Sequence, residues 1–324
     1  MRAAMLDELE LHLSTTTNRL GRPYQQGTIR AYMTGARTLH RWMIQAGVEE
    51  DFTACDTSLL NRFFRHHYDT HDVPKSQDGK GGYTGGTSTL QRNVRVLFAW
   101  LEEEYEHPNP WRDKKLHRYS APPQGKPKTL SSEFVTDCLK VTGNGNPRVR
   151  DFETTRDHAI IRVLTEGLRA EELLNLRVQD LDLHGHTLVV VPLKGDRNSQ
   201  DGRTIPLQPK TVRALQRYLR AREEHSLSQG PWLWLGTRNR NRLRYSGLYR
   251  MVKRRAEEAG YDSAEVSPHS YCHTWTDDLL SSGVSGENVM AVRGWKSPAM
   301  LRRYAHDQAS QRAVTAVHQL GDRY

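Results

Sequence analysis

The stretch Ser267-Pro-His-Ser-Tyr-Cys-His-Thr-Trp275 sets a cysteine between two histidines, three residues after His269 and directly before His273. Those residue types support two chemistries. Imidazole and thiolate are zinc ligands, and positions 269, 272 and 273 share a face if the segment is helical. A cysteine beside a histidine is also a thiol nucleophile with its base. The segment carries helix signals: Ser267 is a candidate N-cap, Pro268 sits at N1, and Gly283 lies past an end near Ser281. A zinc site would still need one or two ligands from elsewhere. The other cysteines, Cys55 and Cys138, are distant and show no CxxC spacing. A disulfide framework is therefore not expected, and a reducing cytoplasm fits best.

Such residues need elements to hold them. The second half of the chain reads as helices at Ser132–Lys140, Thr154–Glu166, Ala170–Leu176, Pro209–His225, Tyr245–Ala259 and Pro268–Ser281, with Gly167 as a C-terminal stop. Two runs, Thr187–Pro192 and Arg203–Leu207, flank the polar turn Gly195–Gly202 and predict a hairpin. In the first half, Ile29, Tyr32, Met33, Ala36, Leu39 and Met43 fall on one face of a helix over Thr28–Gly47. Leu90, Val94, Leu97, Phe98 and Leu101 do the same over Ser88–Tyr105. Away from these faces stand Arg30, Arg37 and Arg41 on the first helix, and Arg92 and Arg95 on the second. Phosphate binding needs repeated, positioned guanidinium groups; solvated surface arginines are the plainer reading.

Gly79-Lys-Gly-Gly-Tyr-Thr-Gly-Gly86 lacks the GxxxxGK[ST] order of a P-loop and reads as a flexible loop. Ser120-Ala-Pro-Pro-Gln-Gly-Lys-Pro-Lys128 reads as an extended linker. The expected fold is mainly α with a small antiparallel β-sheet. It comprises a helical domain over residues 1–119, a linker over 120–130 and a mixed α/β domain over 131–324.

Lys and Arg outnumber Asp and Glu by 47 to 38, a net charge of +9. The excess is +3 through Lys128 and +6 beyond it, so both halves suit a polyanion. The start, MRAAMLDELELHLS, has acidic residues where a signal peptide needs an apolar core. No apolar run nears the ~18 to 20 residues that cross a bilayer. A soluble cytoplasmic protein with no membrane partner is the expectation.

Four stretches of the second half resemble the tyrosine site-specific recombinases, the phage-integrase family. Leu164-Thr-Glu-Gly-Leu-Arg-Ala-Glu-Glu-Leu173 is similar to the family's first arginine box, and by that likeness Arg169 is the first catalytic arginine. Leu193-Lys-Gly resembles the box with the catalytic lysine, Lys194. The opening stretch resembles His-x-x-Arg-His, with His269 as its first histidine. Arg293-Gly-Trp-Lys-Ser-Pro resembles the Leu-Gly-His box, Trp295 standing for histidine, and Tyr304 follows nine residues later as nucleophile. The first half, down to Asn109-Pro-Trp111, looks like the family's core-binding domain.

The resemblance implies attack of Tyr304 on a DNA phosphodiester to give a 3′-phosphotyrosyl link. Arg169 clamps non-bridging oxygens, and His269 handles the nucleophile's proton. Lys194 protonates the departing 5′-oxygen, and the Trp295 N–H holds a phosphate oxygen. It further implies double-stranded DNA at a specific recombination site, a homo-tetramer on paired sites, and no metal or cofactor. An accessory DNA-bending or directionality protein, and a phage or mobile-element origin in a bacterial host, fit the same family. Core-binding helices beginning by Thr28 imply a minimal recombinase. Ala313, Val314, Val317 and Leu320 lie on one helical face that would dock on a neighbouring protomer or on its own domain.

One departure stands in the pattern. Cys272 occupies the place of the family's second catalytic arginine. Losing one preorganised donor to a developing oxyanion costs ~10²- to 10³-fold in rate. Weakened catalysis, with Arg302 or Arg303 as possible replacement donors, is one expectation. A DNA-binding protein that assembles on its site without strand exchange is the other. On the first, restoring arginine at position 272 should raise cleavage by at least ~100-fold.

Overall fold

Apolar spacing builds the first unit of the chain. In the computed structural model, the residues described are 1–18, 21–72, 85–120, 129–143, 148, 151–191, 202–237, 241–295, 297–298, 301 and 318. The chain divides into two compact units, Met1–Gly125 and Lys126–Tyr324. Helix α2 (Gln26–Gln45) buries Ile29, Met33, Ala36, Leu39 and Met43, and α4 (Gly86–Tyr105) buries Leu90, Val94, Leu97, Phe98 and Leu101. The two helices pack together, and Gly35 lets them approach closely: a Cβ there would meet that of Asn93 at 2.8 Å. Helix α3 (Thr57–His67) runs on into a π-helical turn, Tyr68–Asp72. The wholly buried Asp72 accepts from the backbone N–H groups of Gly86 and Thr87 at 2.8 and 2.7 Å, capping α4 from a distance.

Helix formation begins earlier than Thr28. Helix α1 (Arg2–Thr15) buries Met5, Leu6, Leu9 and Leu13 and packs on α2. Polar links across the unit join it, with Tyr105 Oη donating to Glu8 at 2.6 Å and Arg37 paired to Glu10 at 2.5 Å. Its apolar stripe is blurred in sequence because Leu11 is exposed while acidic residues intervene.

The second unit is built round α5 (Ser132–Val141), α6 (Phe152–Leu164), α8 (Pro209–Glu223) and α9 (Tyr245–Glu258). Helix α6 packs on α8, and α5 on α9. Three antiparallel strands lie in the order β1 (Leu181–Asp182), β2 (Thr187–Val190), β3 (Arg203–Pro206). Leu188 pairs with Ile205, and both turn into the core with Val190. The hairpin was legible; the two-residue β1 carries too little pattern to read. Asp157 on α6 is wholly buried and accepts from Arg156, Arg254 and Arg255, each at 2.8 Å, tying α6 to α9.

Helix α7 (Ala170–Leu174), α10 (Pro268–Ser281) and α11 (Gly286–Arg293) are the other α-helices among the described residues of the unit. Helix α11, unforeseen in the sequence, starts at Ser285, whose hydroxyl accepts from the Asn288 N–H. The three cysteines are free and buried. Among the described residues no helix is long and apolar enough to cross a membrane.

Candidate active site

Two features of its own segment place Arg169. Gly167 ends the α6 turn at φ +85°, and a Cβ there would lie 2.4 Å from the Trp275 ring, so the position admits only glycine. The chain then enters α7 with Arg169 at the N-cap. Its backbone N–H donates to Glu172 Oε2 at 2.9 Å and its Nη1 to Glu172 Oε1 at 2.5 Å. Its Nη2 donates to the carbonyl of Arg293 at 3.1 Å.

Glu172 also accepts from Arg203 on β3, at 3.0 Å from Nη1 and 2.7 Å from Nη2. Burial works to raise the Glu172 pKa, but the arginines outweigh it and hold the carboxyl below its usual value. One ionised carboxylate thus fixes two guanidinium groups. Arg169 keeps a third of its side-chain surface open.

Cys272 lies on α10, wholly buried, and its thiol donates to the Leu168 carbonyl at 2.8 Å. Burial pushes this thiol's pKa up, although Arg293 opposes the shift. A neutral, enclosed thiol is a poor nucleophile. His269 is exposed and His273 buried, their rings 4.2 Å apart at 69°. Among the described residues no three His, Cys, Asp or Glu side chains are placed to hold a metal ion. The Cys-His stretch is therefore neither a thiol centre nor, within those residues, a zinc site.

Helix α11 brings up the remaining groups. It ends at Gly294 in the left-handed region, φ +63°, which turns the chain so that Trp295 packs against Leu280 and Val289. Arg293 is 1% exposed and donates from Nη1 to the Gly167 carbonyl. Its guanidinium lies 5.9 Å from the Trp275 ring centre and 5.2 Å from that of Trp295.

Arg169, Cys272 and Arg293 thus gather around the loop between α6 and α7, with Trp295 beside Arg293 and His269 exposed on α10. Lys194 and Tyr304 lie outside the described residues, as do Arg302, Arg303 and the apolar face from Ala313 to Leu320. Arg30, Arg37, Arg41, Arg92 and Arg95 are all exposed, though Arg37 is engaged with Glu10. Sequence reasoning passed over Glu172, Arg203 and Arg293. Glu172 stood inside the quoted arginine box, and Arg293 inside the tryptophan box, so both were in view; Arg203 offered only a charge at the start of a strand.

A model of the phage integrase family matches residues 146–311. The tyrosine recombinase XerC of Alcanivorax borkumensis is 31% identical over 71% of this chain and 71% of its own length. The tyrosine recombinase XerD of Proteus mirabilis is 26% identical over 86% of this chain and 82% of its own. Among solved structures, the XerH site-specific recombinase bound to a palindromic difH substrate in a post-cleavage complex aligns with a TM-score of 0.70. It has 15% identity, over 96% of this chain and 94% of that one. The Tn1549 transposon integrase in complex with transposon right end DNA gives a TM-score of 0.65 at 15% identity, over 98% and 99%. The fold is shared with these structures, and with half the chain matched by the family model and a relative above 30% identity, the chain belongs to the tyrosine site-specific recombinases of the phage integrase family.

Proposed function

We propose that the chain recombines double-stranded DNA at a specific site by tyrosine transesterification. The Tyr304 hydroxyl attacks a phosphodiester; the Tyr304 O–P bond forms, the bond to the 5′-oxygen breaks, and a 3′-phosphotyrosyl link remains. His269, exposed at the start of α10, takes the phenolic proton. Lys194 gives a proton to the leaving 5′-oxygen. Arg169 neutralises charge on the non-bridging oxygens, and the Trp295 N–H adds a donor that carries no transferable proton of imidazole type. The phosphotyrosyl link conserves the bond energy, so a second 5′-hydroxyl resolves it without a nucleotide cofactor. Four protomers on paired sites, each holding DNA with both domains, make the exchange reciprocal.

The observation that carries this reading is the Arg169 guanidinium, held by Glu172 and by the Arg293 carbonyl and still partly open. Arginine restrained on two sides is preorganised for a tetrahedral anion. The buried neutral thiol at 272 favours a second reading, a recombinase-derived protein that assembles on its site without exchange. A nicked duplex built on the site recovered by binding selection separates the two. A covalent protein–DNA adduct that disappears in Tyr304→Phe supports the enzyme. Intact site binding with no adduct supports the binding protein.

A further inference from the structure

Two departures from the family boxes meet in one pocket: arginine is lost at 272, and arginine stands at 293 where the Leu-Gly-His box has leucine. Their side chains share a partner. Arg293 Nη1 donates to the Gly167 carbonyl, and that same oxygen lies 3.9 Å from Cys272 Sγ. The sulfur stops where an arginine's γ carbon would sit, and the guanidinium of Arg293 lies close enough to act on the thiol. The guanidinium of Arg293, arriving from α11, and the thiol of Cys272 on α10 thus converge on the Gly167 carbonyl.

Arg293 is a cation enclosed by the protein. It is 1% exposed, and among the described residues it has no carboxylate within ion-pair distance and no hydrogen-bond partner on Nε. Other buried arginines of this unit are matched. Arg156 and Arg255 both pair with Asp157, and Arg222 is satisfied by four carbonyl oxygens. Leaving a buried charge without a counter-charge is costly. Two indole rings offset part of that cost by cation–π attraction. The carbonyl of the same residue holds Arg169 Nη2, so the Arg169 guanidinium is tied to the Arg293 backbone.

We propose that Arg293 supplies the second phosphate-binding guanidinium that position 272 lacks, binding a non-bridging oxygen of the scissile phosphate beside Arg169. The inference rests on the transesterification reading above. It also changes the expectation at 272: an arginine added at that wholly buried position would meet a like charge, so Cys272→Arg alone brings no gain.

The test compares cleavage of the nicked suicide duplex with that of the same duplex bearing a methylphosphonate at the scissile position. That substitution replaces one charged non-bridging oxygen with a neutral methyl group. Arg293→Leu should lose at least ~10²-fold on the phosphodiester, lose far less on the methylphosphonate, and keep site binding. An equal loss on both substrates would mean a purely positioning role and overturn the proposal, as would an unchanged phosphodiester rate.

If Arg293→Leu does not fold, the double variant Cys272→Arg/Arg293→Leu carries the decision, since its guanidinium returns from α10. Cleavage by that variant supports the proposal, and a folded, DNA-binding but silent double variant overturns it. No adduct from the unsubstituted protein removes the recombinase chemistry and this role with it. A normal adduct in Arg293→Leu removes this role alone.

Discussion

Glu172 receives four hydrogen bonds, from the backbone and guanidinium of Arg169 and from both terminal nitrogens of Arg203. A carboxylate has lone pairs for all four, whereas glutamine turns an N–H₂ toward one of the guanidinium groups. Glu172→Gln is therefore expected to cost about 3 kcal/mol of stability, as when one partner of a buried ion pair is removed. Misplacing Arg169 should also slow strand cleavage by about 10²-fold. Urea unfolding and the adduct assay measure the two effects, and an unchanged cleavage rate would show that Arg169 is oriented by other contacts. The arginine and tryptophan boxes were legible as family motifs because each is contiguous in sequence. The partnership of Cys272 with Arg293 was not, because it spans α10, α11 and the loop after α6.

Helix α5 and helix α6 meet at His158, whose Nδ1 lies 2.9 Å from the Thr142 hydroxyl. Burial, with Arg162 and Arg217 nearby, pushes its pKa down from 6.5 to about 4. A histidine depressed in the folded state binds its proton more readily when the chain is unfolded. Its contribution is complete above pH 6.5 and is lost as pH falls toward 4, by up to about 3 kcal/mol over that window. Denaturant unfolding at pH 7 and pH 5 should show the decline, and His158→Gln should flatten it. An identical slope in that variant would place the acid sensitivity elsewhere. At this scale the periodic helices α2, α4, α9 and α10 were readable to within two residues at either end. Helix α1 and strand β1 were not, since burial by α2 and pairing with β2, rather than local pattern, define them.

The net charge of +9 is spread along the whole chain, so DNA affinity should fall steeply with salt. Neutralising one phosphate fewer lowers the slope of log K against log salt by about one. Arg30→Ala and Arg41→Ala are each expected to reduce that slope by about 1. Arg37→Ala should change it less, because Arg37 is already paired with Glu10 at 2.5 Å. Filter binding at salt concentrations from about 50 to about 200 mM checks this, and equal effects at all three positions would show that DNA displaces the Glu10 pair.

The amino-acid sequence by itself determined the mainly helical class, the hairpin and the order of the recombinase boxes, because each of these is written in local periodicity or a short motif. It left Cys272 as an unexplained loss. Only the tertiary structure set Arg293 against that thiol, since a guanidinium reaches across elements that the chain separates by some twenty residues or more. Charge balance inside a pocket is a property of which side chains converge there, and convergence is decided by packing.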